Sequence, residues 1–306
     1  MKKYLILVND EKDKGFQLTR SISAYLSDRG AECSYMKISR NESLCLMDGK
    51  ESPDCVITLG GDGTFVQAAS HKELISVPML GINLGNMGYL AEVEKDHIFP
   101  SLDRLLKGDY KIESRMMLKG AYFSGMNDGT SGHGSGKENM PEIEGKDDSL
   151  KKEEKNRLAL NDIVITRYGS LRAVRYELYV NGRLLNTYDA DGIIISTPTG
   201  STGYSLSAGG PIVEPTARLI LINPICPHTL NTRAIVLDSG DSVRVKVAGR
   251  GFSPEHEALV CFDGGSTELL KPFDEVEVTC ADVEAKLIKL REESFLDILS
   301  KKMRDK

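Results

Sequence analysis

The chain has 306 residues, enough for two domains of ordinary size. With 40% hydrophobic and 27% charged residues it has a globular balance, and its net charge of −6 gives no general pull toward nucleic acid or an anionic membrane. No apolar run reaches membrane-spanning length, so a membrane protein built on helices is excluded.

The start, MKKYLILVND, breaks at Asn9-Asp10 without a cleavage-site pattern and reads as a first strand, residues 3–8, rather than a secretory leader. Residues 12–29 carry Leu18, Ile22, Tyr25 and Leu26 at helical spacing, and Gly30 stops that helix. Strands follow at 31–38 and 55–59. A helix is expected over 64–75, a strand over 78–82 and a helix over 97–107. Strands alternating with helices, and apolar on both faces, predict a parallel Rossmann-like sheet covered on two sides. This α/β domain spans 1–112.

From there the pattern turns β-rich, over 113–285. Strands are expected at 158–166, 173–180, 183–188, 192–197, 219–223, 243–247, 258–262 and 275–279, with Asn181-Gly182 as a two-residue hairpin turn. Residues 286–306 form a C-terminal tail with Phe295, Leu296, Ile298 and Leu299 at helical spacing, expected to dock on one of the domains. Residues 124–157 stand apart. They hold six glycines and only four aliphatic or methionine side chains in 34 residues, too little apolar surface to offset ordering, and read as a flexible insertion. His133 inside it reads as a solvated loop histidine. The six cysteines (33, 45, 55, 226, 261 and 280) make no CxxC or metal-ligand spacing, and read as reduced thiols of a cytoplasmic protein.

Chemistry concentrates in two loops. LGGDGT, 59–64, follows a buried strand and opens a helix. Gly60, Gly61 and Gly63 let backbone N–H groups approach a phosphate, and the helix dipole favours the anion. The carboxylate of Asp62 would repel it. Two jobs reconcile the acid with phosphate: binding a divalent cation that the phosphates share, or taking a proton from a hydroxyl that attacks phosphorus. Both describe phosphoryl transfer to an alcohol. The plain alternative is a tight turn capped by Asp62. Neither GxxxxGK[ST] nor GxGxxG is present. The second loop, TPTGSTGYSLSAGGP at 197–211, carries seven hydroxyl side chains after an apolar strand, and offers neutral donors and acceptors to a phosphate or ribose. Asn161-Asp162 interrupt the apolar run LALNDIVITR and need polar partners. Asp191, in YDADG, reads equally as a turn cap.

LGGDGT (59–64), GINLGNMGYL (81–90), ALNDIVI (159–165), DGIIISTPTGSTGYSLSAGGP (191–211) and PICPHTLNTR (224–233), in that order, closely resemble the NAD kinase family. The resemblance covers most of the chain outside the insertion. It implies an N-terminal α/β domain, a β-rich C-terminal domain and an active site in the crevice between them. It implies phosphorylation of the adenosine ribose 2′-hydroxyl of NAD by ATP, or in some members by polyphosphate or other nucleoside triphosphates, with a divalent cation such as Mg²⁺. Asp62 is implied as proton acceptor, with Gly61, Gly63 and Thr64 in the same turn. Asn161 and Asp162 would hold the nicotinamide-side ribose. Thr202, Gly203, Tyr204 and Ser207 would line the dinucleotide site, with Thr199 and Asp191 nearby and Tyr89 near the adenine. His228 would approach the ligand from a neighbouring subunit of a homodimer or homotetramer. Asp189 stands among the cofactor-binding positions where some members have arginine, and Gly265 stands where some carry an amide. No separate protein-held metal site is expected. The rival readings are a GGDGT-type lipid kinase acting on a diacylglycerol-like acceptor, and a nucleotide-binding regulator without turnover.

Overall fold

The computed structural model describes residues 1–38, 52–85, 88–123, 157–169, 171–230, 232–248 and 258–304. The insertion expected at 124–157 therefore lies outside the described residues except for Arg157, as do His133 and Cys45.

The N-terminal part runs β1 (Lys3–Val8), α1 (Gln17–Ser27), β2 (Glu32–Lys37), β3 (Cys55–Gly60), α2 (Asp62–Ala69), β4 (Met79–Asn83), β5 (Val93–Glu94) and α3 (Ile98–Lys107). All five strands pair in parallel. Every residue of β3 and β4 is buried, as a sheet covered on both faces requires. Side chains alternate between faces: Tyr4, Ile6 and Val8 pack with Ile22 and Leu26 of α1, while Leu5 and Leu7 pack with Phe65 and Val66 of α2. The register sets Val8 beside Leu59 and Gly60 beside Asn83, so the loops after β1, β3 and β4 emerge at one edge. Parallel sheets bind ligands at such edges.

The second part comprises β6 (Lys111–Phe123), β7 (Arg157–Ala159), β8 (Asp162–Arg167), β9 (Val174–Val180), β10 (Arg183–Ala190), β11 (Gly192–Ser196), the single turn α4 (Tyr204–Ser207), β12 (Leu219–Ile225), β13 (Ile235–Asp238), β14 (Val243–Ala248), β15 (Ala258–Phe262), β16 (Thr267–Leu270), β17 (Glu275–Lys289) and α5 (Phe295–Arg304). β6 and β17 form a long antiparallel ribbon, with a register shift between Cys280 and Glu284. β17 also meets β4 in parallel at Leu287 and Met79, which joins both halves of the chain in one 11-stranded sheet. A 6-stranded sheet, ordered β13-β12-β11-β8-β15-β16, packs over the antiparallel half. Leu118, Tyr176, Leu178, Ile163, Ile165, Ile193 and Ile195 fill the space between them.

The Asn181-Gly182 hairpin forms with both residues at positive φ, as a two-residue turn of this type requires. Several elements differ from expectation, among them β5, β13 and β16, which no predicted strand covers. The helix predicted over 64–75 starts at Asp62 and stops at Ala69, because the chain turns at Ser70 into a separate 3₁₀ turn, Lys72–Leu74. The strand predicted over 158–166 breaks at Leu160-Asn161. β17 continues ten residues past the predicted end at Thr279, so the helical tail begins only at Phe295. β6 was not expected at all. Among the described residues no helix is long and apolar enough to cross a membrane.

Candidate active site

Asp62 is the first residue of α2, directly after the glycines that end β3. The dipole at the helix start favours its charge. Its carboxylate accepts hydrogen bonds from the backbone N–H groups of Tyr89 (2.7 Å), Leu90 (3.1 Å) and Ala91 (3.0 Å). This close approach requires Gly88, where a Cβ would lie 1.9 Å from Asp62 Oδ1. Gly60 is needed for a similar reason, since a Cβ there would meet Thr64 Oγ1 at 2.2 Å. The acid is thus held in a ring of donors from the loop after β4. Lys12, from the loop after β1, reaches over the same turn. Its Nζ stands 3.0 Å from where a Cβ on Gly61 would lie and 3.2 Å from the equivalent point on Gly85. A cation, a glycine turn and a helix start therefore share one edge of the parallel sheet.

The hydroxyl loop divides its labour. Thr197, Ser201 and Ser205 are buried. Thr197 Oγ1 donates to Leu160 O (2.6 Å) and accepts from Gly200 N (3.1 Å), and Ser201 Oγ accepts from Val213 N (3.1 Å). The Thr197 and Ser201 hydroxyls are framework, whereas Ser205 Oγ is buried without a hydrogen-bond partner among the described residues. Tyr204 and Ser207 are exposed, Thr202 and Gly203 half-exposed, and they remain open to a ligand. Thr199 is buried and receives Arg115 Nη1 at 3.3 Å, and Arg115 also pairs with Glu113.

The Asn161-Asp162 turn adjoins this loop: a Cβ on Gly203 would stand 3.9 Å from both Asn161 Nδ2 and Asp162 Oδ2. The break in the strand is stabilised by Asp263. Its carboxylate accepts from the N–H groups of Leu160 (2.6 Å), Asn161 (2.7 Å) and Asp162 (3.0 Å), and from the hydroxyl of Ser70 at the end of α2. Asp263 has φ +50°, a left-handed conformation that aspartate tolerates better than most residues. Burial raises the pKa of Asp263, opposed by these hydrogen bonds. Burial, then the charge of Asp263, pushes Asp162 up to about 7. Asn161 Oδ1 is buried without a hydrogen-bond partner among the described residues. A buried orphan acceptor next to a buried acid is what a ligand rich in hydroxyls would satisfy.

Not every predicted residue gathers here. Asp162 pairs with Ser196 at one end of β8 and β11, while Thr166 pairs with Gly192 at the other, about 13 Å along the strands. Asp191 precedes Gly192 and is paired with Arg167 at 2.8 Å. Asp189 is gripped by Arg175 (3.0 and 2.8 Å), and its carbonyl accepts from the N–H of His228. Asp189, Asp191 and His228 thus form a separate group at the far end. Tyr89 lies beside Asp62, but its ring meets α5, with Phe295 at 5.9 Å between centroids and Lys302 Nζ 4.0 Å over the ring. Burial first and Asp62 second raise the pKa of Tyr89.

Lys12, Ser70, Arg115 and Asp263 escaped the sequence reading. Only Asp263 left a signal, as an acid before two glycines in DGGST, and that motif drew notice for Gly265 instead.

Residues 31–110 match the family model of the ATP-NAD kinase N-terminal domain, and residues 160–290 that of the ATP-NAD kinase C-terminal domain. An NAD kinase of Agathobacter rectalis is 39% identical over 99% of both chains, and one of Lachnoclostridium phytofermentans is 38% identical over the whole of both. In fold, the chain is similar to an NAD kinase from Archaeoglobus fulgidus solved in complex with ATP (TM-score 0.72, 22% identity, 99% of each chain). It is also similar to a yeast NADH kinase complexed with NADH (TM-score 0.73, 20% identity, 98% of this chain and 87% of that one).

Proposed function

The chain belongs to the ATP-NAD kinase family and phosphorylates NAD with ATP to give NADP; we propose that Asp62 is the base of this reaction and that the crevice between the N-terminal α/β domain and the β-rich domain holds both substrates. The lipid-acceptor reading falls away, since both family models span the two halves of the chain. The observation that carries the proposal is the position of Asp62. It sits at a helix start, at the edge of the parallel sheet, with Lys12 over the adjoining glycines.

The 2′-hydroxyl of NAD is far too weak an acid to ionise at neutral pH. A carboxylate beside it takes the proton as the new phosphorus–oxygen bond forms and the hydroxyl becomes acidic. The three N–H donors fix the position of the Asp62 carboxylate at the edge of the glycine turn. Lys12 and the backbone of Gly61, Gly63 and Thr64 face the donor phosphates. Asn161 and Asp162 hold the nicotinamide-side ribose, with Thr202, Gly203, Tyr204 and Ser207 along the dinucleotide and Thr199 beneath it. Tyr89 meets the adenine, which requires α5 to share or yield its face.

Among the described residues no three His, Cys, Asp or Glu side chains are grouped to hold a metal ion. Both Asp62 oxygens are already engaged by backbone donors. These donors do not fit a resident cation. Mg²⁺ would enter on the triphosphate, as it commonly does, and no step here depends on a protein-held ion. The far-end group of Asp189, Asp191 and His228 serves a neighbouring subunit's crevice in a homodimer or homotetramer. A cytoplasmic setting agrees with five free cysteines among the described residues.

The test is NADP formation by wild type and Asp62→Asn, with NAD binding measured in parallel. The variant should bind NAD and lose about 10²- to 10⁴-fold in turnover, the usual worth of general-base catalysis. Equal loss of binding and turnover would make Asp62 a structural anchor for the 88–91 loop instead.

A further inference from the structure

Asp62 and the Asn161-Asp162 turn lie on different elements, and the turn passes from β7 of the 11-stranded sheet into β8 of the 6-stranded one. α2 packs through Phe65 and Val66 on the parallel half, whereas the turn opens β8 of the 6-stranded sheet. For transfer to NAD, the base must keep a fixed separation from the dinucleotide, which the Asn161-Asp162 turn holds by its nicotinamide-side ribose. A polar bridge spans the two. Ser70, the C-terminal cap of α2, gives its hydroxyl to Asp263. The same oxygen lies 3.0 Å from Val66 O, but the hydroxyl has one proton and the carboxylate is the stronger acceptor. Asp263 in turn accepts the three successive N–H groups of Leu160, Asn161 and Asp162. We propose that Asp263 and Ser70 are positioning residues that lock the helix carrying Asp62 to the turn carrying Asn161 and Asp162.

The division of hydrogen bonds supports a positioning role. Asp263 accepts from three backbone N–H groups and the Ser70 hydroxyl, and bonds to neither the Asn161 nor the Asp162 side chain. Asn161 Oδ1 stays without a partner among the described residues, and Asp162 is buried. α2 has eight residues, about 12 Å along its axis, and is tied at both ends. The 89–91 loop holds Asp62 at its start, and Asp263 holds Ser70 at its finish. Shifting one end tilts the other, and a misplacement of about 1 Å can cost roughly 10²-fold in rate.

This inference rests on the reading of Asp62 as base and of Asn161 and Asp162 as ribose ligands. The two fail separately. An Asp62→Asn variant that keeps its turnover, or loses binding and turnover equally, would sink that reading, whereas an Asp62→Asn variant that loses turnover alone beside indifferent Ser70 and Asp263 variants would sink only this one. The full-length protein is assayed as wild type, Ser70→Ala, Ser70→Thr, Asp263→Asn and the Ser70→Ala/Asp263→Asn double variant, with kcat and the KM values for NAD and ATP measured separately. Ser70→Ala should lower kcat about tenfold and leave both KM values within about twofold, and Ser70→Thr should restore it. Asp263→Asn should also raise the KM for NAD about tenfold, with the KM for ATP unchanged. The double variant should be no worse than Asp263→Asn, because Ser70 acts through Asp263. Unchanged kcat in Ser70→Ala, or losses that simply add, would overturn the proposal. Should Asp263→Asn fail to fold, the alanine and threonine variants at Ser70 decide it alone.

Discussion

The two ends of β8 and β11 carry the same residue type under opposite conditions. At one end Asp162 and Asp263 are buried together and, among the described residues, neither meets a cation. At the other, Asp189 is matched to Arg175 across the strand pair and Asp191 to Arg167. Burying an acid without a cation costs stability, and proteins retain such an arrangement where a ligand repays it. Pairing a half-buried acid such as Asp189 or Asp191 with arginine offsets most of that cost and says less about a ligand. Burial and pairing, rather than the presence of aspartate, separate the two ends.

The largest test of this contrast is Asp162→Asn. The substitution keeps shape but removes the charge and one acceptor, and should raise the KM for NAD about 10- to 100-fold while leaving that for ATP alone. Steady-state kinetics with each substrate varied would show it. An equal effect on both substrates would mean that Asp162 supports the crevice generally, and the two ends of the strands would then differ less than their burial indicates.

Stability against pH gives a second effect with a definite sign. Asp162 rises from 3.8 to about 7 on folding. Between these values the folded chain keeps a proton that the unfolded chain has released, so the folded state binds more protons and stability falls as pH rises. The contribution is complete below about pH 4, declines up to about pH 7 and is flat above. The slope is at most about 1.4 kcal/mol per pH unit. Measured as the difference in denaturation midpoint between wild type and Asp162→Asn, it should leave the variant relatively more stable at pH 8 than at pH 5. Parallel curves would place the Asp162 carboxyl in water rather than in a buried site.

The parallel sheet was legible because each of its strands is a local run: KYLILV and CVITL are apolar on both faces and end at turn residues. The β6–β17 ribbon was not, since its pattern is mixed. β6 reads KIESRMMLKGAYF, with Glu113 and Arg115 paired to each other amid apolar neighbours. β17 alternates as far as Thr279, then crosses a bulge that resets its faces. The site divides in the same way. Asp62, the hydroxyl loop and Asn161-Asp162 sit in distinctive local motifs. Lys12, Ser70, Arg115 and Asp263 act through contacts with residues 49 to 193 positions away, as Ser70 does with Asp263, and single residues carry no trace of such partners. The far-end residues differ in the opposite direction. Their motifs were clear, but sequence adjacency could not reveal that β11 carries Asp191 away from the turn at Asp162.

The smallest expected signal decides what that far end is for. His228 is exposed and, apart from its backbone bond to Asp189, has no evident work in its own chain. Being exposed, it can be changed to alanine without disturbing a core. If its crevice lies in a neighbouring copy, His228→Ala should lower kcat/KM only several-fold in the pure oligomer. Mixing it with Asp62→Asn, after unfolding and refolding the two together, should then do something neither variant does alone. Each mixed pair contains one crevice built from an intact Asp62 and an intact neighbouring His228. Random assembly of equal amounts into dimers makes half the dimers mixed, and half their sites whole, so these sites contribute about a quarter of wild-type activity. The intact-Asp62 subunits that pair with each other add only the reduced rate of His228→Ala. Activity above that sum of the separately refolded variants would tie His228 to a partner's crevice. Activity equal to it would leave the histidine on the surface of its own subunit, and the arginine-paired acids beside it as ordinary strand-edge ion pairs.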